Sequence, residues 1–130
     1  MNPSEWTCLT PIETENAITW ARNESGRAWK ILKDAREAEV AAKKAYRVAK
    51  TEALLGGESP RVGRDGATVA ERDAWVDRQT EEELSALEAA KVMTENAKDY
   101  LTTVKEQGSL IQSQHKSVMQ AYQMAGVGER

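Results

Sequence analysis

Phenylalanine is absent from the 130 residues, and the chain has only three prolines, one cysteine and one histidine. Each shortage removes a class of protein. A lone thiol, Cys8, excludes an intramolecular disulfide framework and a cysteine-based zinc site, and a lone imidazole, His115, leaves histidine-rich metal centres without ligands. No run of about 18 apolar residues occurs, which disfavours a membrane span, and the opening MNPSEWTCLTPIE has neither the basic nor the apolar segment of a cleaved signal. The chain reads as cytoplasmic, with no membrane partner. Large apolar side chains are also scarce. Alanine is the commonest apolar residue and brings little area to bury, so extended helices that self-associate are a cheaper solution than a compact two-layer globule.

What is present is helix punctuation. Thr10-Pro11-Ile12-Glu13 supplies a hydroxyl N-cap, a proline at the first helical position and a carboxylate three residues after the cap. Thr68-Val69-Ala70-Glu71 repeats the capping pattern. Between the two tracts lies GGESPRVGRDG, rich in helix breakers. These signals predict one helical domain over residues 1–130, with a first arm over 11–55, a loop over 56–67 and one long second helix over 68–125. Asn23-Glu24-Ser25-Gly26 is the weak point at which the first arm is expected to kink, setting off a short N-terminal helical segment, and Gly108 is the corresponding point in the second.

The apolar spacing predicts how the arms pair. Ile31, Ala35, Ala38, Ala42, Ala45 and Ala49 advance by alternating fours and threes, the period that keeps one seam on a partner helix. In the second arm Leu87, Ala90, Thr94, Ala97, Leu101, Val104, Gly108, Ile111, His115, Val118, Tyr122 and Ala125 do the same, so the stripe crosses Gly108. The expected fold is all-α, a long antiparallel helical hairpin or coiled coil that forms oligomers. Leu101, Val104, Ile111, Val118 and Tyr122 are the expected contacts between subunits. Trp20 and Trp29 are expected to cap the core of the helix pair.

Net charge is −3, but its distribution is uneven. Residues 27–50 hold eight basic and three acidic groups, a balance of +5, whereas residues 69–106 hold five basic and ten acidic, a balance of −5. With the alanine seam turned inward, Lys33, Arg36, Lys43, Lys44, Arg47 and Lys50 face outward along about 30 Å of helix, room for several backbone phosphates. Arg61 and Arg64 in the loop extend that track. Tyr46 is the one aromatic within it, so base stacking is sparse and sequence readout absent. A solvated face, or a face neutralised by the acidic groups Asp73, Asp77, Glu81, Glu82, Glu83 and Glu88, accounts for the same pattern.

Other constellations carry less. Three consecutive carboxylates at Glu81-Glu82-Glu83 point about 100° apart on a helix and do not converge on an ion. His115 sits on the stripe without a neighbouring ligand and reads as a packed or interface histidine. No GxxxxGK[ST] loop and no nucleophile–base pair is present, so no catalytic residue, metal or cofactor is expected and the chain reads as a non-enzyme.

The order of these pieces, a Lys/Arg-rich segment WKILKDAREAEVAAKKAYRVAK, the loop GGESPRVGRDGA and a long C-terminal helix closing on SVMQAYQMAG, resembles phage recombination mediators of the UvsY type. The resemblance is one of layout and charge over most of the chain. It implies a homo-oligomer in the bacterial host cytoplasm that binds single-stranded DNA without sequence preference and helps a recombinase displace single-strand-binding protein. It further implies DNA contacts late in the basic helix, at Lys43, Lys44, Arg47 and Lys50 by position. The alternatives are a helical protein–protein interaction module without DNA, or a virion-assembly protein of a phage.

Overall fold

The computed structural model describes residues 10–64 and 66–128, without the side chains of 127 and 128; Trp6, Cys8 and Asp65 lie outside this set. The described chain is all-helical, ordered as α1 (Pro11–Leu55), α2 (Val69–Gln79) and α3 (Glu81–Gly128). Both capping signals operate. The Glu13 amide donates to Thr10 Oγ1 at 3.2 Å, the Thr10 hydroxyl donates to the Glu13 carboxylate at 3.0 Å, and the Glu71 amide donates to Thr68 Oγ1 at 3.1 Å. The two amide bonds each satisfy a backbone donor that the first turn leaves open, and the hydroxyl–carboxylate bond holds the Thr10 and Glu13 side chains together.

Two expectations about helix continuity are corrected. Residues 23–26 do not split off an N-terminal segment, because α1 runs unbroken through them. A single glycine costs a helix about 1 kcal/mol, too little to break one anchored on both sides by buried Ala21 and Ala28. The second arm, expected as one helix over 68–125, is instead two. It breaks at Thr80, which sits at φ −113°, ψ 14° and is 1% exposed. Its hydroxyl donates to the Val76 carbonyl at 2.8 Å, a local bond that competes with the regular ladder. The acidic Glu81, Glu82 and Glu83 then occupy the first turn of α3, where carboxylates favour the start of a new helix. Gly108, by contrast, leaves α3 intact.

The chain divides into two compact units. The terminal unit joins the chain up to Leu32 with that from Ala97 onward. Its buried residues are Thr14, Ala17, Ala21, Ala28 and Leu32 of α1 and Ala97, Leu101, Val104 and Ile111 of α3. The helices of this pair run in opposite directions: Thr14 meets His115, with 2.7 Å between Oγ1 and Nδ1, and Glu24 accepts a hydrogen bond from the Tyr100 hydroxyl. Ile18 and Trp20 pack against the Ala17, Ala21 and Ile111 cluster. Trp29 instead stays half out of the core, at 49% exposure, beneath the Lys105 ammonium 4.9 Å from its ring. Leu101, Val104 and Ile111, expected between subunits, are buried in this pairing, and so they belong to the chain's own core. Val118 is half-buried and Tyr122 exposed.

The loop unit comprises Lys33–Asn96. Its core is thin, with Ala35, Val76 and Leu87 buried beside Thr80 and Thr94. The pairing is again antiparallel, and the Thr94 hydroxyl is shared between the Ala35 carbonyl at 3.3 Å and the Ala90 carbonyl at 3.1 Å. The loop closes on a bridge between Val62 and Ala67. Gly66 is required there, since a Cβ on it would stand 2.5 Å from the Arg61 carbonyl oxygen.

Candidate nucleic-acid interface

The geometry of the loop unit follows from which residues of α1 are covered. Ala35, Glu39, Ala42, Tyr46, Ala49 and Ala53 are buried or half-buried and advance by 4, 3, 4, 3 and 4. The seam expected from the sequence is therefore half right. Ala35, Ala42 and Ala49 lie on it, whereas Ile31, Ala38 and Ala45 are exposed. The stripe runs through Leu32, 2% exposed, in place of Ile31, and through Tyr46 in place of Ala45, where the larger side chain gains more from burial.

Moving the seam by one residue sorts the outward residues into two flanks. Lys33, Arg36, Val40, Lys43, Arg47 and Lys50 advance by 3, 4, 3, 4 and 3 along one flank, and all are exposed. Lys44 is exposed too but lies off this row, pointing away from the seam with Glu37 and Thr51. Arg61 and Arg64 are exposed on the loop that follows α1 and are not part of the helical row. Five cations on one flank thus form the candidate interface, interrupted once at Val40.

Helix α3 supplies a sixth, which the sequence reading missed. Ala35 is level with Thr94, so in an antiparallel pair Lys91 is level with Ala38, between Arg36 and Lys43. Lys91 follows seam residue Ala90 by one position, as Arg36 follows Ala35. The terminal unit shows that such positions meet on the same side: Trp29 follows buried Ala28, Lys105 follows buried Val104, and their side chains touch. Lys91 is exposed and stands beside the gap that Val40 leaves. The signal was present in its 3.5-residue spacing from the α3 stripe, but it has meaning only once the register between the helices is known.

The electrostatics of the row are those of open cations. Among the described residues, none of Lys33, Arg36, Lys43, Arg47, Lys50 and Lys91 takes part in an ion pair. Carboxylates exist in the same unit: Asp73 pairs with Arg72 at 3.8 Å within α2, and Glu88, one position after seam residue Leu87, lies on the same side as Lys91 and makes no ion pair with the row. Lys50 stands 6.0 Å from the ring of Tyr46 one turn before it. Like charges held at helical spacing without direct ion pairs repel one another, and a polyanion relieves that repulsion. With a single half-buried aromatic nearby, the face offers phosphate contacts and no platform for reading bases.

No group of three histidine, cysteine, aspartate or glutamate side chains among the described residues is placed to hold a metal ion. Among the same residues no helix is long and apolar enough to cross a membrane. No family model, curated protein or solved structure matches the chain.

Proposed function

We propose that the chain is a non-enzymatic DNA-recombination mediator that binds single-stranded DNA without sequence preference and assists recombinase loading in the cytoplasm of a phage-infected bacterial cell. The recombinase and single-strand-binding protein are its proposed protein partners, and a homo-oligomer its working form. The observation that carries the reading is the unpaired cationic row Lys33, Arg36, Lys43, Arg47 and Lys50, open to solvent in a unit that also contains carboxylates. The layout likeness to mediators of the UvsY type supplies the biological context.

The test is anisotropy of a labelled oligonucleotide at two ionic strengths. Four neutralised phosphates give a slope of log K against log salt of about −3 for single strands. Lys43→Glu combined with Arg47→Glu is expected to abolish binding while the helical circular dichroism is retained. Unchanged affinity removes the DNA reading and leaves the second one, a helical interaction module or virion-assembly protein. That second reading draws on exposed apolar side chains such as Val48, Val92 and Met93, at 45%, 59% and 64% exposure.

A further inference from the structure

The terminal unit has a groove of its own between α1 and α3, with a volume of about 480 Å³. Small residues open it. Gly108 of α3 faces the Ala21 methyl group of α1, so neither helix fills the floor at this point with a large side chain. Arg22 and Ser25 line the groove from α1, and Lys105 and Gln112 from α3. None of the lining residues is acidic. Arg22 and Lys105 are exposed and, among the described residues, neither takes part in an ion pair. Glu15, which follows buried Thr14 on this side of α1, lies two turns before Arg22 and outside the groove. Glu24 is engaged by Arg27 at 3.4 Å and by the Tyr100 hydroxyl.

An aromatic ring stands next to this groove. Trp29 is one turn beyond Ser25 on α1 and half exposed, and the Lys105 ammonium lies 4.9 Å from its ring centroid. Lys105 therefore reaches from the groove to the ring. A cation over an exposed indole is held weakly, whereas the same ammonium beside a phosphate makes a charge-assisted hydrogen bond. An incoming phosphate thus draws the ammonium away and uncovers an indole face on which a base stacks.

We infer that the groove and Trp29 form a site for one nucleoside monophosphate, with its base on the indole and its phosphate held by Lys105 and Arg22. Two cations match the charge of a phosphomonoester, about −1.5 to −2 at neutral pH. Ser25 and Gln112 supply neutral donors for the remaining oxygens. The groove volume lies within the ordinary range of small-molecule sites. Ser25 and Trp29 are about 6 Å apart along the helix axis, a gap that the sugar bridges. A free nucleotide and the 5′-phosphorylated end of a strand carry this same chemistry. The site does not depend on the cationic row of the loop unit.

Titration of the full chain with deoxyadenosine monophosphate, followed by calorimetry and by tryptophan fluorescence, tests the site. Quenching is expected with a dissociation constant of about 1 mM or tighter. Inorganic phosphate and deoxyadenosine, each lacking one half of the ligand, are expected to bind about tenfold more weakly. Trp29→Leu removes the advantage over inorganic phosphate. Arg22→Gln and Lys105→Met each weaken nucleotide binding about fivefold, and Lys116→Gln, which takes a cation from outside the groove in the same unit, changes nothing. Helical circular dichroism is retained in all four. Absence of binding at about 10 mM, equal affinity for deoxyadenosine, or equal effects of Lys105→Met and Lys116→Gln overturns the inference. A 5′-phosphorylated tetranucleotide that displaces the mononucleotide assigns the bound phosphate to a strand end, and one that leaves it in place assigns it to the free nucleotide. Lys43→Glu with Arg47→Glu is expected to leave the mononucleotide titration unchanged, so the row and this site fail separately, and loss of the titration in that variant overturns the site.

Discussion

A Cβ placed on Gly108 would stand 3.7 Å from the Cβ of Ala21, an ordinary van der Waals contact, so the space at this crossing already suits a methyl group. Gly108 is therefore not forced by sterics. Gly108→Ala is expected to raise the unfolding free energy by about 1 kcal/mol, the helix-propensity difference, as read in urea titrations. A loss of stability with alanine would show that the helices are closer here than the structure has them.

Thr14 is fully buried, its hydroxyl 2.9 Å from the Pro11 carbonyl and 2.7 Å from His115 Nδ1. Thr14→Val keeps the shape and removes the hydrogen-bonding atom, leaving the imidazole nitrogen without its partner. The expected loss is about 1–2 kcal/mol. Thr19→Val, at an exposed hydroxyl bonded to the Glu15 carbonyl, is the comparison and should change stability by less than about 0.5 kcal/mol. Equal effects from the two would show that the Thr14–His115 contact contributes nothing.

Leu101 belongs to the core of the terminal unit at 6% exposure. Leu101→Ala is expected to cost about 2–4 kcal/mol in unfolding free energy through the cavity it leaves. The sedimentation behaviour of the folded protein should not change. A variant that keeps its stability and loses association would return Leu101 to a contact between subunits.

Lys91 is the cation that only the paired helices bring to the row. Lys91→Glu is expected to weaken single-strand binding several-fold and to reduce the salt slope by about 0.7, one phosphate contact. Lys116→Glu, an exposed cation of the terminal unit, serves as the control and should leave both quantities unchanged. Identical responses from the two variants would mean that net charge, and not the row, governs binding.

The α3 stripe was legible in full from Leu87 to Val118, since every position on it is buried or half-buried. Leucine, valine and isoleucine stand there among polar neighbours, and the period is unambiguous. On α1 alanines occupy the flank as well as the seam, so Ile31-Ala38-Ala45 and Leu32-Tyr46 were competing continuations of the same Ala35-Ala42-Ala49 line. Choosing the former kept Ala35, Ala42 and Ala49 and put the other three seam positions one residue away from where they lie. The basic residues were visible as a group, but their division into a row of five with Lys44 outside it depended on that one-residue choice. The Thr80 break was obscured because the stripe was read from Leu87 onward, beyond the point at which α2 ends.

Local chemistry in the sequence alone settled where α1 and α2 begin and where the loop between them falls, because an N-cap hydroxyl or a glycine pair acts within a turn of its own position. It also settled that one stretch of α1 is rich in cations. Which side of α1 those cations share, that Lys91 joins them, and that Leu101, Val104 and Ile111 are occupied within the chain were decided only by tertiary pairing. The physical reason is distance along the chain: the contact that sets the register of the loop unit, Thr94 to Ala35, joins residues 59 positions apart, and no local preference reaches that far.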